Sequence, residues 1–66
     1  NRGDQAAVVP LIEALDDDSA VIRGTAAWSL SELGGEPAVA ALKSRLENET
    51  EPGVLAELQQ ALARST

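Results

Sequence analysis

The sequence GDQAAVVPLIEAL at residues 3–15 returns in related form as GGEPAVAALKSRL at residues 34–46. Five residues are identical at an offset of 31: Gly3 and Gly34, Ala7 and Ala38, Val8 and Val39, Leu11 and Leu42, and Leu15 and Leu46. A second set aligns at an offset of 32: Ile22 with Val54, Ala26 with Leu58, and Leu30 with Leu62. Two different segments that recur in the same order are typical of helical-repeat proteins.

The apolar residues of these segments follow the spacing of an amphipathic α-helix. Positions i, i+3, i+4 and i+7 of the first segment are Val8, Leu11, Ile12 and Leu15. The spacing predicts helices near residues 5–15, 20–33, 36–48 and 52–64. The core stripe of the second helix is predicted to be Ile22, Ala26 and Leu30. We therefore predict one all-α domain over residues 1–66, a short right-handed solenoid of about four antiparallel helices.

Capping and proline signals support these boundaries. The candidate N-caps are Asp4, Asp18 or Ser19, and Thr50. Gly34 suits a left-handed position after the second helix, while Pro37 and Pro52 fall in first turns, where a missing N–H costs nothing. Pro10 is expected in the second turn of the first helix, where it removes a backbone hydrogen bond and bends the helix.

The composition excludes several classes of function. The chain has no cysteine and no histidine, so it lacks thiolate ligands, imidazole ligands and the commonest catalytic base. We predict no catalytic, metal-binding or cofactor-binding residue within it. The absence of cysteine fits a cytoplasmic setting, and no apolar run approaches the roughly 20 residues of a membrane span. Because the chain starts at Asn1 and has no methionine, we expect a piece of a longer protein whose preceding helix lies upstream.

The net charge of the chain argues against one class of binding partner, nucleic acid. Eleven acidic against five basic residues give a net charge of −6, whereas nucleic-acid binders depend on neutralising phosphates.

The acidic run at residues 16–18 allows two interpretations, a calcium site or helix capping. Capping is favoured because the alternating ligands and central glycine of a calcium loop are missing.

Three residues of the second helix are candidate contacts with a partner. Arg23 has two interpretations: an exposed salt bridge to Asp16, Asp17 or Asp18, or a contact with phosphate or a partner. Gly24 costs about 1 kcal/mol relative to alanine inside a helix, which the close approach of a neighbouring backbone or of a ligand would justify. Trp28, the only aromatic residue, either packs against the helix expected upstream or is an exposed recognition residue.

The pattern of an apolar–arginine pair, paired alanines, a leucine–glycine end and spaced leucines resembles the HEAT-like repeats of phycobilisome-lyase-type proteins. The matching positions are Ile22, Arg23, Ala26, Ala27, Leu30, Leu33, Gly34, Ala38, Leu42 and Leu46. The stretch VIRGTAAW at residues 21–28, with the glycine turn and the acidic last helix, also resembles the C-terminal end of bacterial epoxyqueuosine reductases. That resemblance covers nearly the whole chain, although Ser31 and Leu55 depart from the repeat pattern.

This second resemblance implies a parent oxidoreductase that uses iron–sulfur clusters and cobalamin, both held upstream, to modify tRNA. It implies that the chain contacts tRNA or braces the catalytic domains through Arg23, Gly24 and Trp28. The alternative is a HEAT-like protein–protein scaffold with no role in nucleic-acid binding. We also expect the isolated chain to self-associate through an apolar edge near Val8, Val21 and Trp28.

Overall fold

The computed structural model describes the backbone of residues 2–65 and the side chains of residues 6–65. The four helices are α1 (Arg2–Ala14), α2 (Ala20–Leu33), α3 (Glu36–Asn48) and α4 (Pro52–Ser65). The described residues form no strand, which confirms the predicted all-α fold. No helix within residues 2–65 has both the length and the apolar character needed to cross a bilayer.

The first helix begins earlier than the sequence predicted. It starts at Arg2 rather than near residue 5, so the prediction of Asp4 as its N-cap is wrong, because residue 4 lies inside the helix. Pro10 is inside the helix, as expected. However, the earlier start places Pro10 in the third turn rather than the second.

The starts of α2 and α4 are held by side chains of the preceding loops. Ser19 is the N-cap of α2, and its hydroxyl accepts the Ile22 N–H at 3.4 Å. At α4, Thr50 is not the N-cap, because the helix begins at Pro52. The backbone before Pro52 is instead held by Glu49, whose carboxylate accepts the N–H groups of Thr50 and Glu51 at 3.2 and 3.0 Å.

Two glycines form the turn between α2 and α3. Gly34 has φ +72° and ψ −169°, and Gly35 has φ +93° and ψ 159°. This is the extended region with positive φ, which is essentially restricted to glycine. The left-handed helical conformation predicted for Gly34 is therefore wrong in ψ, although the requirement for glycine holds. The Gly34 N–H still closes α2 by donating to the Leu30 carbonyl at 2.9 Å.

The helices pack in the two-layer manner of a solenoid. α2 packs along α4, α1 contacts α3, and the two layers meet through α1 against α2 and α3 against α4. Leu30, Leu42 and Leu58 are the largest fully buried side chains. Each comes from a different helix, so one core joins α2, α3 and α4.

One position in the predicted core stripe of α2 is wrong. Ala26 and Leu30 are buried, but Ile22 is 45% exposed. Ala27 is fully buried instead. Because α2 contacts both α1 and α4, its buried face is rotated from Ile22 toward Ala27.

Candidate functional site

The three candidate residues of α2 do not form one surface. Arg23 is directed into the protein, with a side chain that is 15% exposed. Gly24 and Trp28 line a groove between α2 and α4. They lie four residues apart, so they share one face of the helix, whereas Arg23 lies toward the buried side.

Arg23 uses most of its hydrogen-bonding capacity within the chain. Its Nε and Nη2 donate to the two carboxylate oxygens of Glu49, at 2.8 and 3.0 Å. Its Nη1 donates to the backbone carbonyls of Asp17 and Asp18, at 2.8 and 3.1 Å. Four of the five N–H donors of a guanidinium are therefore used. The predicted salt bridge to an aspartate side chain is wrong, because Arg23 binds main-chain oxygens there and its acidic partner is Glu49.

Glu49 is the acidic centre of this cluster and is almost completely buried, with 1% of its side chain exposed. Besides the bonds from Arg23, it receives the two N–H groups before α4, and the Arg45 Nε lies 3.3 Å from its Oε1. Hydrogen bonding from Arg23 holds the pKa of the Glu49 carboxyl below its ordinary value, although burial acts in the opposite direction. The same pairing raises the pKa of Arg23. The cluster therefore ties the start of α2 to the α3–α4 loop.

The acidic run at residues 16–18 is used in loop contacts. The Asp17 carboxylate accepts the Ser19 N–H at 2.8 Å, immediately before α2. The Asp16 carboxylate accepts Arg45 Nη1 at 2.9 Å. These contacts support the capping interpretation, and the described residues contain no cluster of acidic groups arranged to hold a metal ion.

Trp28 is 49% exposed and is next to α4. The guanidinium of Arg64 lies over its ring, 4.9 Å from the ring centroid, within the range of a cation–π interaction. Arg64 also pairs with Glu32. The Arg64 contact puts this side of the ring next to α4. Packing of Trp28 against a helix before residue 1 stays a prediction, because no such helix belongs to the described residues.

The groove has an apolar floor and acidic residues along it. Its lining residues are Ala20, Val21, Gly24, Thr25, Trp28, Glu51, Gly53, Val54 and Glu57. The open volume is about 580 Å³, which lies within the usual range of binding clefts. Val21 is 77% exposed. Val8, which we expected at the same apolar edge, is instead partly buried against the core.

The basic side chains lie mostly outside this groove and are mostly neutralised. Arg23 and Arg45 contact Glu49, and Arg64 contacts Glu32. Lys43 is exposed on α3 and has no ion-pair partner among residues 6–65. Among the side chains of residues 6–65, no basic patch therefore surrounds Gly24 and Trp28.

Sequence reasoning missed Glu49, although the repeat contains a signal for it. The offset of 31 that relates the first two segments makes Asp18 and Glu49 equivalent positions. Asp18 follows α1 and Glu49 follows α3, but the arginine that Glu49 binds comes from α2 and not from the helix that comes next in the chain. Because the Arg23 equivalent at an offset of 32 is Leu55, the pair is not repeated within the chain.

The helices are antiparallel and form two layers, their apolar pattern repeats, and a groove lies between α2 and α4. These features define a helical-repeat protein. Comparison with known families agrees, because the family described as HEAT repeats matches residues 1–63. The chain belongs to this family.

The curated relatives are all described as epoxyqueuosine reductase. The relative from Listeria monocytogenes is 45% identical over 56 residues, covering 83% of this chain and 15% of the relative. The relatives from Bacillus cereus and Bacillus anthracis are 38% and 37% identical over 60 residues, each covering 88% of this chain and 16% of the relative. The chain thus spans about 15–16% of the length of these relatives. No solved structure gives a significant match.

Proposed function

We propose that the chain is a non-catalytic HEAT-repeat module that braces neighbouring domains of an epoxyqueuosine reductase-like protein by protein–protein contact. The observation that carries the proposal is the groove between α2 and α4. It is apolar, open and marked by a half-exposed tryptophan, the residue type most enriched at protein-binding hot spots.

The parent protein would be an oxidoreductase acting on epoxyqueuosine, as the name of the relatives indicates. Under the proposal it is cytoplasmic and its substrate is carried by tRNA. The iron–sulfur clusters and cobalamin expected of such a parent do not fit this chain. It contains neither cysteine nor histidine to ligate iron or cobalt. Any such group would be held by other parts of the parent, and this chain would contribute shape and rigidity.

Bracing is better supported than direct tRNA contact at the candidate residues. Arg23, the one positive charge among them, is occupied by Glu49 and two backbone carbonyls. The groove beside Trp28 carries Glu51 and Glu57, which repel phosphate. The remaining support for tRNA contact is the exposed ring itself, because bases stack on aromatic side chains.

The test compares the full-length protein with its Trp28→Ala variant, using Lys43→Ala as the control. Lys43→Ala removes an exposed positive charge on α3, away from the groove. Hydrogen–deuterium exchange without tRNA reports on the neighbouring domains, and filter binding at fixed salt gives the Kd for tRNA. Under the proposal, Trp28→Ala accelerates exchange outside residues 1–66, while the tRNA affinity changes less than about twofold.

Direct tRNA contact gives the opposite result. Loss of one stacked base would weaken tRNA binding about 5- to 150-fold and leave exchange in the free protein unchanged. That outcome would replace bracing by nucleic-acid recognition as the function of the groove.

A further inference from the structure

Gly24 is not required by the packing of the chain itself. It lies in the interior of α2 with ordinary helical geometry, where glycine is less favourable than alanine. A Cβ built at this position would meet its nearest neighbour, Glu57 Cγ, at 3.6 Å, which is ordinary van der Waals contact. The described chain would therefore accept alanine, so the gap at Gly24 calls for an explanation from outside it.

The surroundings of Gly24 indicate what could occupy the gap. Val21 and Trp28 lie one helical turn on either side of it, and both are exposed. An extended or helical backbone approaching this face would contact two apolar side chains with a glycine between them. This is the arrangement expected where a neighbouring backbone comes close to a helix.

The charge of the groove defines the partner further. Its only charged lining residues within the described chain are Glu51 and Glu57, and both are exposed. They stand on the α4 side, opposite the apolar stripe of α2. At the far end, the Trp28 ring already holds a guanidinium, that of Arg64. The groove thus offers two carboxylates that bind arginine or lysine favourably, next to an aromatic residue that already binds one guanidinium of the chain itself.

We infer that the α2–α4 groove receives a basic polypeptide segment from a neighbouring domain, seated with its backbone on Gly24 and its arginine or lysine side chains toward Glu51 and Glu57. This inference rests on the proposed bracing function and specifies the chemistry of the braced partner. The apolar residues of the segment cover Val21 and Trp28. Nucleic acid is disfavoured as the occupant because its phosphates would face the same two carboxylates.

The experiment places a photo-reactive p-benzoyl-phenylalanine at Val21 of the full-length protein, with and without tRNA. Val21 is 77% exposed, so the substitution leaves the core intact. Cross-linked peptides are identified by mass spectrometry. The cross-link is expected within the same polypeptide, on a segment that contains arginine or lysine.

Two further changes test the contribution of charge and of the gap. The double substitution Glu51→Gln with Glu57→Gln keeps side-chain size and removes both charges, and Glu47→Gln is the matched control on the exposed surface of α3. Each exposed charge contributes up to about fivefold to affinity, so the cross-link yield should fall in the double variant and not in the control. Gly24→Ala should lower the yield while stabilising the chain itself.

The possible outcomes separate the two proposals. A cross-link to a protein segment without basic residues, or one that is insensitive to the double substitution, overturns this inference and leaves bracing intact. A cross-link only to tRNA, or no cross-link in the full-length protein, overturns both.

Discussion

The change Glu49→Gln tests whether the buried cluster around Glu49 holds the helices in register. Glutamine has the shape of glutamate but places an amide donor where one carboxylate oxygen stood. If the amide nitrogen replaces Oε1, the Arg23 Nε bond of 2.8 Å is lost, and the amide also faces the Arg45 Nε that lies 3.3 Å from Oε1. If it replaces Oε2, the bonds from Arg23 Nη2 and from the N–H groups of Thr50 and Glu51 are lost.

The less costly orientation sets the expected magnitude. Losing one hydrogen bond to a charged group costs about 1.5–3 kcal/mol, and the remaining bonds become neutral and weaker. Breaking a buried ion pair costs about 3–5 kcal/mol in other proteins. We expect the lower end, about 3 kcal/mol, because Arg23 keeps its contacts with the carbonyls of Asp17 and Asp18. A chain of 66 residues has a total stability of about 3–10 kcal/mol, so a large fraction of it would be lost.

The assay is urea unfolding followed by circular dichroism, with Glu47→Gln as the control. Glu47 lies two residues earlier, in the last turn of α3, and is exposed, so its substitution should change the free energy of unfolding by less than about 0.5 kcal/mol. Equal unfolding midpoints for the two variants would refute the structural role assigned to Glu49.

The remaining predictions concern the turn, the core, pH and association. Gly24→Ala should raise the free energy of unfolding by about 0.4–1 kcal/mol. Gly34→Ala should lower it by about 1–3 kcal/mol, because Gly34 has a positive φ. The melting temperatures of the two variants should therefore shift in opposite directions. Leu58→Ala should cost about 3–5 kcal/mol, because Leu58 is fully buried, and a loss below about 1 kcal/mol in urea unfolding would contradict the described core. Folding lowers the pKa of Glu49, so the wild type should lose stability as the pH falls below the ordinary glutamate pKa of about 4.3. In urea unfolding measured at several pH values, Glu49→Gln should lack this part of the loss. Sedimentation velocity should detect self-association of the isolated chain at high concentration that Trp28→Glu reduces, and identical behaviour of the two would exclude the groove as the contact.

Most of the fold could be predicted because the repeat and the helical spacing reinforce each other. The predicted ranges 20–33 and 36–48 coincide with α2 and α3. The glycine pair and Ser19 mark helix ends through local backbone chemistry, which sequence reveals well. The predicted start of α1 was wrong because aspartate is favoured in the first turn of a helix as well as at its N-cap, and residue 4 lies in the first turn of α1.

The site was harder to predict because tertiary contacts decide it. Helical periodicity places Arg23 next to Gly24, yet it does not indicate that an acid 26 residues away binds the guanidinium. The position of Trp28 beside α4 likewise depends on how α2 and α4 pack. Sequence placed the three candidate residues on one helix, but their division between a buried cluster and an open groove required the three-dimensional arrangement.

The central claim, that the α2–α4 groove is covered by protein, is tested most directly by alkylation of a Thr25→Cys variant. Thr25 is exposed in the groove, and the chain has no other cysteine. The rate of iodoacetamide modification of this peptide is measured by mass spectrometry in the isolated chain and in the full-length protein, without and with tRNA. The account predicts fast modification in the isolated chain and at least tenfold slower modification in the full-length protein before tRNA is added. Equal rates in the isolated chain and the tRNA-free full-length protein would contradict it.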